Sequence, residues 1–180
     1  MKKTLDARFQ MTNSDRQLFM GMFGWFKKEC ALRKADRLAR RGNMEAALMS
    51  IEAAQQMNPK SIDTHIQRAW ALAELRRFEE AMKCVDASLA LAPKNGLLHL
   101  VKGEILYALK DYEGSKQMLH RALELSGENL RIEYMLGLVY VALNDMDRAT
   151  QFFESSVRYD KSLVHSRLLA MAERYLFEHR

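Results

Sequence analysis

The chain has 180 residues, 48% of them apolar and 28% charged, with only eight Gly and two Pro. That balance suits a helical globular protein long enough to bury a core, and it speaks against a strand-rich fold, which needs more turn residues. The net charge of +5 is local: residues 1–41 hold 11 Lys/Arg against 4 Asp/Glu, leaving 17 against 19 in the rest, so an acidic partner is drawn to the N-terminal part. Cys30 and Cys84 belong to no CxxC or metal-type spacing. A structural disulfide is therefore not expected, and the cytoplasm is the expected compartment.

In chain order, the first element is announced by Ser14 and Gln17, a capping box that predicts a helix from near residue 15. The run "LFMGMFGWFKK" follows at residues 18–28. Leu18, Phe19, Met22, Phe23 and Phe26 share one face at helical spacing, and Trp25 points elsewhere, so apolar surface wraps most of the helix. Its four aromatics bury about 150–250 Å² each when packed. Left wet, they would expose about 600–1,000 Å², above the largest patch of an ordinary monomer, about 300–600 Å². Exposure would forfeit on the order of 15 kcal/mol, an upper bound. The segment must pack on its own chain, a second copy, a partner or a lipid surface, and aromatics encircling the helix favour protein. The run is about half the length that spans a bilayer, and Lys27 and Lys28 stand where a signal peptide has small residues.

The bases of "KKECALRKADRLARR", residues 27–41, supply the rival reading, peripheral contact with an anionic membrane through residues 15–41. No nucleic-acid reading motif accompanies them, and no nucleic-acid partner is expected.

From residue 28 the chain repeats. "AAQQMNPKS" and "ASLALAPKN" end alike, with Pro59 and Pro93 34 residues apart. This period belongs to helical solenoids. It divides the chain into units 28–61, 62–95, 96–129 and 130–163, with mid-unit turns "RGNM", "RRFE", "KDYE" and "NDMD". Small residues recur at the eighth position (Ala35, Ala69, Gly103, Gly137) and the twentieth (Ala47, Ala81, Ser115, Ala149). Large residues recur at the eleventh (Leu38, Leu72, Leu106, Tyr140) and the twenty-fourth (Ile51, Val85, Leu119, Phe153). Small positions let helix backbones approach and large ones fill the space between, so Gly137 is expected against Ala149. In the third unit Gly127 stands in place of the proline, and in the fourth Lys161 does. Residues 164–180 carry an apolar stripe of Leu168, Leu169, Ala172, Tyr175 and Leu176, as a terminal capping helix does.

These positions resemble the tetratricopeptide repeat family, whose pattern is W-x2-L-G-x2-Y…A-x3-F…P; Leu136, Gly137 and Tyr140 of the fourth unit match it best. The resemblance covers residues 28–163. It implies an all-α, right-handed superhelical solenoid of four hairpins, with an extra N-terminal helix over 1–27 and a C-terminal capping helix over 164–180. It also implies a concave groove, lined by the first helix of each unit, that binds a peptide. The groove positions are the second (Glu29, Asp63, Leu97, Arg131), the fifth (Leu32, Ile66, Leu100, Tyr134), the ninth (Asp36, Trp70, Glu104, Leu138) and the twelfth (Ala39, Ala73, Tyr107, Val141). Leu32, Ile66 and Leu100 read equally well as core. Trp70, Tyr107 and Tyr134 are the expected anchors, since Trp and Tyr dominate binding hot spots.

One branch of the family grips acidic C-terminal tails with a Lys at the fifth and an Asn at the ninth position of its first repeat. Leu32 and Asp36 stand there instead, so that mode is not expected. Nor does the chain show HExxH, GxSxG, a Gly-rich phosphate loop or a zinc-type Cys pair. His65 and His99 fall at equivalent repeat positions, as repetition requires. No enzyme activity, cofactor or metal is expected. The function expected is a protein-binding scaffold or adaptor, with self-assembly through Leu18, Phe19, Met22, Phe23, Trp25 and Phe26. The rivals are the membrane-surface role and a secretion-type chaperone, although such chaperones are generally acidic and built of three repeats.

Overall fold

The helices recur with the spacing of the sequence. In a computed structural model, which describes residues 13–157 together with the helical positions Arg174 and Phe177, and side chains from Lys27 onward, the described residues form eight helices and no strand. They are α1 (Asn13–Arg40), α2 (Met44–Met57), α3 (Ile62–Glu74), α4 (Phe78–Leu91), α5 (Gly96–Ala108), α6 (Tyr112–Ser126), α7 (Leu130–Ala142) and α8 (Met146–Val157). The capping helix expected over 164–180 otherwise lies outside the described residues.

One turn, used four times, makes the hairpins. Asn43, Arg77, Asp111 and Asp145 each donate a backbone N–H to a carbonyl five residues back, on Leu38, Leu72, Leu106 and Tyr140, at 2.9–3.0 Å. The residue before each is left-handed: Gly42, Arg76, Lys110 and Asn144 have φ of 77°, 62°, 65° and 61°. This αL cap ends one helix, and the next residue begins another. The side chains of Asn43, Asp111 and Asp145 accept from the N–H groups of Ala46, Gly114 and Arg148. Arg77 makes no such cap; its guanidinium instead grips Glu80 at 2.7 and 2.8 Å.

The chain forms two compact units, divided between Thr64 and His65. In the first, α1 packs on α2, burying Ala35, Ala47, Leu48, Ile51 and Ala54. Helix α1 runs unbroken from Asn13 to Arg40, so the apolar stretch and the first helix of the 28–61 unit are continuous, without a break near residue 27. Gly21 and Gly24 each cost a helix about 1 kcal/mol, but no proline or capping turn follows them and the Lys27–Lys28–Glu29 sequence favours continuation.

The second unit holds α3 from His65 onward and α4 to α8. Helix α5 packs on α6 and α7 on α8, with further contacts of α4 on α5 and α6 on α7. Leu119, Ile132, Leu136, Val139 and Phe153 are fully buried at its centre. Two close approaches set the spacing. A Cβ added to Gly103 would lie 2.7 Å from Leu119 Cγ, and one added to Gly137 would lie 2.6 Å from Phe153 Cε1. Gly137 thus closes most tightly on the Phe153 ring, because the large residue at the twenty-fourth position reaches across to fill the gap. Ser115 Oγ donates to the Gly103 carbonyl at 2.8 Å, pinning the first of these approaches. Gly127 has φ 72°, a conformation closed to proline.

Candidate functional site

Helices α3, α5 and α7 present a shared face in the second unit, and three side chains on it are joined. Trp70 sits in the middle of α3, between buried Ala69 and Ala71. Its Nε1–H donates to Glu104 Oε2 at 2.8 Å. Glu104 is held on α5 between buried Gly103 and Ile105. Arg131 lies in the first turn of α7, which Asn129 caps by accepting from the N–H groups of Arg131 and Ile132 at 3.0 and 3.3 Å. From there its Nε donates to Glu104 Oε1 at 2.6 Å and its Nη2 to Oε2 at 3.0 Å. The same guanidinium lies over the Trp70 ring, 4.7 Å from the centroid. A forked ion pair and a cation–π contact thus share one cation.

Electrostatics follow from depth. The Glu104 side chain is 16% exposed, whereas that of Arg131 is 46% exposed. Burial pushes the Glu104 carboxyl above its ordinary value; Arg131 and the Trp70 N–H pull it back, and Glu74 adds to the rise. Beside the cluster, half-buried Tyr107 packs on Tyr112 at 5.5 Å between centroids, and burial raises its phenol. Leu138 is half-buried at the edge of the core, and Leu97 is 43% exposed.

The fifth-position residues fall elsewhere. Ile66, Leu100 and Tyr134 are only 3%, 1% and 5% exposed. They are core, so the expectation that they line the groove is corrected. For Tyr134 the reason is Phe153, whose ring packs 5.7 Å from its own. Leu32, on α1 of the first unit, is half-buried, and Asp36 is exposed and paired with Arg40 at 3.0 Å. The side chains of Leu18, Phe19, Met22, Phe23, Trp25 and Phe26 lie outside the described residues, although α1 includes all six. Reading residues singly placed Trp70, Glu104 and Arg131 on one face but missed their union. The signal was present, because Trp70 and Glu104 hold the same position in adjacent units.

Among the described residues no group of three or more His, Cys, Asp or Glu is arranged to hold a metal ion. Nor is any helix among them long and apolar enough to cross a membrane.

Comparison with known proteins agrees with this fold. The family described as tetratricopeptide repeat matches residues 38–105 and 106–172. Among solved structures, the chain is similar to a thermophilic TPR protein of Thermus thermophilus, with 18% identity and a TM-score of 0.71 over 84% of this chain and 90% of that one. It is similar to PilF of Pseudomonas aeruginosa, with 25% identity and a TM-score of 0.68 over 85% and 72%. It is also similar to the first TPR of Spaghetti (RPAP3) bound to the HSP90 peptide SRMEEVD, with 22% identity and a TM-score of 0.59 over 66% and 94%. No curated protein matches the chain in sequence.

Proposed function

The chain belongs to the tetratricopeptide repeat family, and we propose that it is a non-enzymatic scaffold whose α3/α5/α7 face holds a helical or extended segment of another protein. Proteins of this family typically mediate protein–protein contacts, and the RPAP3 domain carries a bound peptide. The observation that supports the reading here is the cluster of Trp70, Glu104 and Arg131. Trp and Arg are enriched among interface anchors, and side chains fixed before binding lose less freedom on binding.

The segment recognised is mainly apolar, to meet Leu97, Tyr107 and Leu138, and it presents a carbonyl to the outward N–H groups of Arg131. Three of the five guanidinium N–H groups remain beyond the two donated to Glu104. An acidic tail gripped at the first repeat is not the ligand, because Leu32 and exposed Asp36 supply neither a Lys nor an Asn there.

A photo-crosslinking residue placed at Leu138 or Leu97 in the full chain tests the face inside cells. A recurrent adduct at these positions that is absent at exposed Lys83, on α4, supports the reading. Equal labelling at all three sites contradicts it.

A further inference from the structure

Helix α1 has a half that its hairpin does not use. It is 28 residues long, about 42 Å, whereas its partner α2 has 14, about 21 Å. Joined through the short turn at 41–43, α2 flanks residues 27–40 and leaves the N-terminal half of α1 beyond its end.

On the flanked half, Lys27, Cys30, Lys34 and Arg37 are all exposed, and exposed Arg41 continues their register into the turn. They follow one another at steps of three and four residues, so they form one stripe on the side of α1 away from buried Ala35. Arg33 and Arg40 border the stripe, and the neighbouring acids, Glu29 and Asp36, are turned to them at 3.2 and 3.0 Å. The stripe itself contains no acid. Continued through the unbroken helix, its register meets positions 26, 23 and 19, each of which is Phe. One line along α1 therefore passes from aromatic to cationic residues.

We propose that this line docks on an anionic membrane surface, its bases against lipid headgroups and its phenylalanine half dipping into the interface. Each requirement of such a surface is met by a different part of the helix. The unflanked half, about 21 Å, is shorter than the hydrocarbon core, about 30 Å, so it enters without crossing.

A second copy's α3/α5/α7 face is the poorer fit. Its Glu104 charge is already answered by Arg131, which leaves Asp63 and Glu74 on α3 to face four cations. A nucleic-acid backbone would match the bases but leave the apolar half of the same line in water.

Sedimentation of the full-length protein with phosphatidylcholine vesicles, with and without phosphatidylserine, tests the proposal. Binding is expected to need phosphatidylserine and to be lost at high salt. The triple variant Lys34→Gln, Arg37→Gln, Arg41→Gln should bind about a hundredfold more weakly, at about fivefold per cation, with unchanged melting because all three side chains are exposed. Phe23→Ser should weaken binding while the salt dependence persists. Absence of vesicle binding, or equal binding by the triple variant, overturns the proposal. So does tighter binding to duplex DNA at the same salt. A wild-type oligomer that ignores vesicles and dissociates in the triple variant would place the line on a second copy instead.

Discussion

The indole of Trp70 donates to Glu104 across 2.8 Å, joining two residues that stand one full repeat apart. Arg131 of the next repeat closes the set by pairing with Glu104 and covering the ring. The three cannot be changed independently. Arg131→Ala leaves the Glu104 carboxylate, 16% exposed, without its counter-charge and should cost about 1–3 kcal/mol, reduced from the fully buried case by the exposure of Arg131. Glu104→Gln removes the charge that needed answering and should cost less than about 1 kcal/mol. The double variant should recover most of the Arg131→Ala loss. Urea unfolding of the three proteins checks this order, and equal losses in the two single variants would contradict it.

The same cluster predicts an acid titration seen by Trp70. The chain has two tryptophans, so a Trp25→Phe background isolates the indole. Burial raises the Glu104 carboxyl, so Trp70 fluorescence should change at a pH above the ordinary value of a free glutamate. The sign for stability follows from that rise. Folding favours the protonated carboxyl, so the Glu104 contribution to stability grows as pH falls through the folded-state value. Glu104→Gln should abolish the fluorescence step.

His120 should give the opposite dependence. It shares a hydrogen bond with the Tyr140 hydroxyl at 2.9 Å and packs edge-on against Phe152. Burial lowers its pKa, helped by Lys116 and Arg148 and opposed by Glu124. The unfolded chain therefore takes the proton first, and stability is lost as pH falls from the ordinary histidine value, about 6.5, through the lower folded one. Urea midpoints across mildly acidic pH should show this slope, and His120→Phe should flatten it.

Much of the fold was legible because a period of 34 residues constrains many positions together. The starts of α3, α5 and α7 at Ile62, Gly96 and Leu130 keep that spacing, and so do the four left-handed turn residues. Two features were not legible. The continuity of α1 was hidden because two glycines lower helix propensity without ending a helix. The burial of Tyr134 was hidden because a groove position and a core position differ only by what lies opposite, and Phe153 is 19 residues away in sequence.

The turns themselves make a prediction. Lys110 holds φ 65°, where an L-residue other than Gly is disfavoured by about 1–2 kcal/mol. After the entropy that Gly adds to the unfolded chain, Lys110→Gly should stabilise by about 0.5–1 kcal/mol. Gly42→Ala, at φ 77° with open space around it, should destabilise by about 1 kcal/mol for the same reason. Melting temperatures that move the other way would contradict the αL cap.

Gly137→Ala probes packing alone. The added methyl would start 2.6 Å from the ring of Phe153, which is fully buried, so the ring has little room to retreat. A loss of about 1–3 kcal/mol is expected. Adding Phe153→Leu should return part of it, whereas a neutral Gly137→Ala would mean that α7 and α8 separate easily.

The α3/α5/α7 face is the proposed protein-binding surface. Its most direct test is the affinity of a segment selected from a displayed peptide library against the full chain. That segment should lose at least about thirtyfold on Trp70→Ala, the cost of about 2 kcal/mol for an anchor. It should bind the exposed α4 variant Lys83→Ala as it binds wild type, with both variants fully helical. Equal affinity for Trp70→Ala, or a loss matched by Lys83→Ala, would show that the α3/α5/α7 face does not hold the segment.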